Sequence, residues 1–114
     1  MKVEYVNPFV ESASGVLEEI ANLKSDRGNL KLKDLEAPFR DVCAILGVIG
    51  SVEGQVVYGF DESTARSVVS RMMMGAEVNE FDEMARSALG ELGNIITGKA
   101  SVALEQAGFP IEIS

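Results

Sequence analysis

Apolar residues return every three to four positions through "NPFVESASGVLEEIANL", so that Phe9, Ala13, Val16, Leu17 and Ile20 share one face of a helix. Asn7 is placed to cap this helix, Pro8 suits its first turn, and it should stop near Leu23. After the polar turn "KSDRG", the stretch "NLKLKDL" alternates as an edge strand, with Leu30 and Leu32 inward and Lys31 and Lys33 outward. "DVCAILGVIG" is apolar at both alternating sets of positions, which predicts a central strand covered on both faces. "SVEG" is a turn and "QVVYGF" its antiparallel partner. A helix follows in "DESTARSVVSRMMMG", with Asp61 and Glu62 at its start and Gly75 as its stop. Its Met72, Met73 and Met74 are read as core filling rather than a soft-metal surface, since only some of three consecutive helical residues can face outward. The last and longest helix spans "NEFDEMARSALGELGNIITGKASVALEQAG", from an Asn79 cap to a Gly108 stop. "FPIEIS" then opens another strand, which either pairs with a strand already made or is cut short. These elements predict a single α+β domain over residues 1–114, a mostly antiparallel sheet with helices packed on it.

Charge and composition narrow the function. Ten basic against 18 acidic residues give a net charge of -8, and no basic run exists to neutralise phosphates, so nucleic acid and anionic membranes are poor partners. No apolar run approaches the roughly 18 residues that span a bilayer, and "MKVEYVNPF" lacks the apolar stretch of a signal peptide, so a cytoplasmic location is expected. Cys43 is the only cysteine, which removes internal disulfides and multi-cysteine metal sites; within its apolar run it reads as a small buried hydrophobe. There is no histidine. The commonest general base, histidine-dependent triads and the usual zinc sites are thereby absent. Any chemistry must use carboxylates, amides, hydroxyls or a partner's groups.

The long helix raises a sharper question, because its middle holds Gly90, Gly93 and Gly98. Each glycine costs a helix interior roughly 1 kcal/mol relative to alanine. On a helical wheel Ala85, Ala88, Leu89, Leu92, Ile95, Ile96 and Ala103 form the side that should lie on the sheet, and Gly93 falls near it, where close packing explains it. Almost opposite run Ser87, Gly90, Asn94, Thr97, Gly98 and Ser101, with Glu91 on the margin. Small residues one turn above and below Asn94 leave its amide over a low, open floor, suited to meeting another protein's surface. Ser87, Gly90, Thr97 and Gly98 are therefore the expected partner-binding residues. Glu91 and Asn94, three apart, emerge from adjacent turns and can reach one target together. That spacing alone is weak evidence: with 13 glutamates and 5 asparagines it should arise by chance about half a time. Glu19 and Asn22 repeat it on the first helix without the small flanking residues.

"DEMARSALGELGNIITGKAS" closely resembles the signature helix of the CheC and CheX group of chemotaxis phosphatases. The resemblance extends back through "ILGVIGSVEGQVVYGFDESTARSVVSRMMMG" and forward into "IEIS", covering roughly residues 40–114, and the chain is identified as a CheX-type member of the CheC/CheX/FliY phosphatase family. Membership implies a phosphatase acting on the aspartyl-phosphate of a CheY-like response regulator, in chemotaxis-type signal termination. The family's catalytic pair carries over to Glu91 and Asn94. Asn94 would orient the attacking water and Glu91 would pair with a lysine of the receiver domain, which supplies the Mg²⁺; this chain would bind no cofactor of its own. CheC-type members hold a second pair on the first helix, whereas CheX-type members do not, so Glu19 and Asn22 are not expected to act. Family members usually continue past "IEIS" with strands that in CheX-type relatives join two subunits; a homodimer is the expected assembly, and the sequence ends at Ser114, before those strands. A second reading is a non-catalytic receiver-binding or assembly module, as in related flagellar switch proteins.

Overall fold

The structure, a computed structural model, describes residues 3–21 and 41–113. In chain order the elements are α1 (Val3–Ala21), β1 (Val42–Gly50), β2 (Gly54–Phe60), α2 (Glu62–Met72), α3 (Glu83–Gln106) and β3 (Ile111–Ile113). The sheet order is β2-β1-β3, antiparallel throughout, which agrees with the α+β architecture expected. β1 and β2 form a hairpin in which Ala44 faces Tyr58 and Leu46 faces Val56. The terminal strand does pair with one already made: Ile111 and Ile113 of β3 stand opposite Gly50 and Val48. The expected strand in "NLKLKDL" and the Asn22 position lie outside the described residues.

Helix α3 organises the domain because its inner line is apolar for its whole length. Leu89, Leu92, Ile96, Ala100 and Leu104 are buried, and each large aliphatic side chain so removed from water contributes about 2 kcal/mol. Val16 of α1 and Val68 and Val69 of α2 join Leu92 and Ile96 in one core cluster, while Leu104 packs with Val48 and Ile111 in a second. Gly108 ends α3 with φ of 94°, the left-handed conformation expected of a glycine stop, whereas past α2 Met74 takes the left-handed position at φ 60° and Gly75, the expected stop, follows it at 89°.

Five expectations need correction. Helix α1 begins at Val3, so Pro8 lies inside it and Asn7 does not cap it. The proline is tolerated because the N–H it lacks would serve the carbonyl of exposed Glu4, within the first turns, where water can replace it. Helix α3 starts after Asp82, not Asn79: the Asp82 carboxylate accepts a hydrogen bond from the Ala85 N–H at 2.9 Å. β1 is central, but among the described residues the helices cover only one of its faces. Ala44, Leu46 and Val48 turn to the helices, whereas Ile45 and Ile49 on the other face are 52% and 46% exposed. Cys43, on that outer face, is half-buried. The methionines divide, with Met72 and Met73 against the core and Met74 almost fully exposed at φ 60°.

Candidate functional site

The outward stripe of α3 answers the question its glycines pose, and the three do not have one reason. A Cβ on Gly93 would lie 3.1 Å from Leu46 Cδ1 and 3.4 Å from a Tyr58 ring carbon, so the bare backbone there lets the helix settle onto β1 and β2. A Cβ on Gly90 or Gly98 would meet nothing within 4 Å. No packing inside the described chain requires those two glycines; they leave space on the outside of the helix. Asn94 and Glu91 stand exposed between them, and neither side chain has a hydrogen-bond or ion-pair partner among the described residues. Ser87 is exposed one turn before Glu91. Ser101 turns its hydroxyl back to donate to the Gly98 carbonyl at 2.7 Å.

Thr97 departs from the expected docking role. It is fully buried, and its hydroxyl shares a 2.7 Å hydrogen bond with the Tyr58 hydroxyl. The wheel places Thr97 on the edge of the stripe, but the sheet reaches around that edge because Gly93 draws it close. Burial raises the Tyr58 hydroxyl above its ordinary pKa, and the Thr97 bond opposes that shift. The pair fixes α3 to β2 one turn beyond Asn94.

Beside Asn94 lies a cleft of about 290 Å³ between α3 and the edge of β1. All five consecutive residues from Val42 to Leu46 line it. Alternate side chains of a strand point to opposite faces, so five in succession can share one cavity only along the strand's edge. β3 pairs with β1 only at Val48–Gly50, which leaves that edge without a strand partner among the described residues. The opposite wall is formed by Arg86, Gly90 and Asn94. Arg86 was not singled out by the sequence; its signal is the one-turn spacing Arg86, Gly90, Asn94, visible only when the edge opposite it is known.

The same Glu-x-x-Asn spacing occurs twice more in the sequence. Glu19 is held by Lys99 at 3.0 Å, and Asn22 lies outside the described residues. Glu4 and Asn7 share the spacing too, but Asn7 Oδ1 is buried and without a partner among the described residues. No group of three or more histidine, cysteine or acidic side chains among the described residues could hold a metal ion. No helix among them is long and apolar enough to cross a membrane.

Comparison with known proteins bears on this arrangement. Residues 42–114 match the family described as chemotaxis phosphatase CheX. The whole chain aligns at 34% identity with the CheY-P phosphatase CheX of Thermotoga maritima, spanning 74% of that protein. Among solved structures, a CheC-like superfamily protein from Shewanella sp. PV-4 superposes with a TM-score of 0.90 at 29% identity, over 100% of this chain and 74% of that one. A chain from the CheX–CheY–BeF₃–Mg²⁺ complex of Borrelia burgdorferi superposes with a TM-score of 0.78 at 32% identity, over 99% of this chain and 74% of that one.

Proposed function

The chain belongs to the chemotaxis phosphatase CheX family, and from that membership we propose that it hydrolyses the aspartyl-phosphate of a CheY-like response regulator. A relative 34% identical along the whole chain bears the name CheY-P phosphatase, and a relative of the same fold forms a complex with CheY, BeF₃ and Mg²⁺. The observation that carries the reading in this chain is an exposed Asn94, without a partner among the described residues, between two glycines whose missing side chains relieve no contact with those residues. Clearance of that kind serves an approaching surface.

An acyl phosphate is already activated, so hydrolysis needs mainly a water held in line and compensation of charge on the phosphoryl oxygens. The Asn94 amide both donates and accepts hydrogen bonds without titrating, and it orients the water. The water oxygen bonds to phosphorus, the bond from phosphorus to the aspartyl oxygen breaks, and the carboxylate leaves with the bonding pair. The water's proton passes to the released phosphate or to solvent. Glu91 docks, pairing with a lysine of the receiver and fixing the angle at which the amide enters. Mg²⁺ belongs to the receiver's phosphorylation pocket. We place the reaction in the cytoplasm and the working form as a homodimer.

The test follows phosphate loss from a phosphorylated receiver. Asn94→Ala should lower the accelerated rate by about 100-fold or more while leaving binding within a few-fold. Glu91→Ala should lower kcat/KM about tenfold, mainly through KM. Equal rates for wild type and Asn94→Ala would leave a non-catalytic docking module as the function. Asn22→Ala should behave as wild type.

A further inference from the structure

The cleft beside Asn94 holds a cation that this mechanism does not use. Among the described residues that line the cleft, Arg86 is the only charged side chain, and the rest are apolar apart from Asn94 and the Cys43 thiol. It forms no ion pair or hydrogen bond among the described residues, whereas Lys99 holds Glu19 and Arg66 donates to the Asn79 carbonyl. On a chain of net charge -8 with 18 acidic residues, Arg86 sets a cation with no partner among the described residues beside the proposed site. Arg86, Gly90 and Asn94 follow one another at one-turn spacing, about 12 Å of helix axis from first to last. Gly90 keeps the floor between them low. On the wheel Arg86 and Glu91 fall on opposite margins of the stripe, about 140° apart, with Asn94 between them. The proposed water-orienting amide is thus bracketed by one fixed charge of each sign.

We propose that Arg86 binds an oxyanion of the incoming phosphorylated receiver, either a phosphoryl oxygen or a carboxylate oxygen beside the phosphorylation pocket. The proposal rests on the phosphatase reading. A guanidinium suits the task because it stays charged and presents paired N–H donors to two oxygens at once. Glu91 seeking a cation and Arg86 seeking an anion define a direction across the helix. Only one orientation of a receiver satisfies both, which makes Arg86 a specificity-determining residue as well as an anchor.

Wild type, Arg86→Lys, Arg86→Gln and Arg86→Ala would be compared at varied concentrations of phosphorylated receiver, with melting temperatures recorded in parallel. Arg86→Ala and Arg86→Gln should raise KM about tenfold with kcat within about twofold, and Arg86→Lys should fall between them and wild type. The difference should shrink as salt rises from about 0.05 M to about 0.5 M. Titration with unphosphorylated receiver and with receiver carrying beryllofluoride separates the two sources: weakening confined to the second assigns the phosphoryl group, and weakening of both assigns a carboxylate. Unchanged KM and affinities overturn the proposal, whether or not the melting temperature falls, and so does a loss confined to kcat. Should wild type itself fail to accelerate phosphate loss, the phosphatase reading falls, and the two titrations still decide whether Arg86 meets an anion.

Discussion

Three glycines on one helix test space at single-residue resolution. Gly90→Ala and Gly98→Ala place a methyl group in open space, so each should stabilise the fold by about 0.5–1 kcal/mol through helix propensity. On the proposed function each should also lower kcat/KM, because that methyl group meets the receiver instead. Gly93→Val should do the reverse kind of harm, destabilising by about 1–3 kcal/mol through overpacking against Leu46 and Tyr58. Thermal melts combined with phosphatase rates would resolve the two classes. The same resolution applies to Tyr58. A hydroxyl whose folded pKa lies above its unfolded value contributes stability that is fully present below the unfolded value, 10.0, and is lost as pH rises through the folded one. Denaturation above about pH 10 should therefore show a decline in stability that is shallower in Tyr58→Phe. That variant should also be less stable by about 1 kcal/mol at neutral pH, since Thr97 loses its partner.

Helices and strands were largely legible in the sequence because their periods are dictated by what they bury. The inner line of α3 follows the 3.6-residue repeat, and Leu89, Leu92 and Ile96 are buried where that repeat puts them. The hairpin of β1 and β2 and the glycine stop of α3 are equally readable. Two things are not. Thr97 looked exposed because a wheel contains no sheet, and only the close approach at Gly93 brings Tyr58 to its hydroxyl. The start of α3 is not fixed by the sequence, because Asn79 and Asp82 are both competent caps and the choice depends on which one meets a free N–H. Phe81, packed against the core just before Asp82, decides it by fixing where the chain enters the helix. Removing the cap should be measurable: Asp82→Ala should cost about 1 kcal/mol in urea or thermal denaturation, with Asn79→Ala near neutral. By comparison, the exposed Lys99–Glu19 pair contributes little to stability.

At the scale of the molecule, the described helices dress one side of the sheet, and no described element packs on the other. Ile45 and Ile49 lie on that outer face of β1, with Val57 opposite Ile45. Apolar sheet surface of this kind favours association between copies. Ile45→Lys should therefore reduce concentration-dependent self-association in light scattering, with melting temperature changed little because the side chain is half exposed already. That outer face could not be read from sequence, since a strand apolar at every position looks the same whether one face or both are covered. The cleft beside Asn94 was invisible for a related reason: it is bounded by the backbone edge of β1, which leaves no mark in residue types.

Helix α3 touches α1, α2, β1 and β3, and Glu91 and Asn94 ride at its centre rather than on a loop. A segment fastened on so many sides has no independent route to local melting. Protease nicking at loop tips or mild warming would spare the pair until the whole domain unfolds in one cooperative step. Control over such a surface then has to come from the supply of its partner or from a rival that covers it, because the helix carries no hinge of its own to disable.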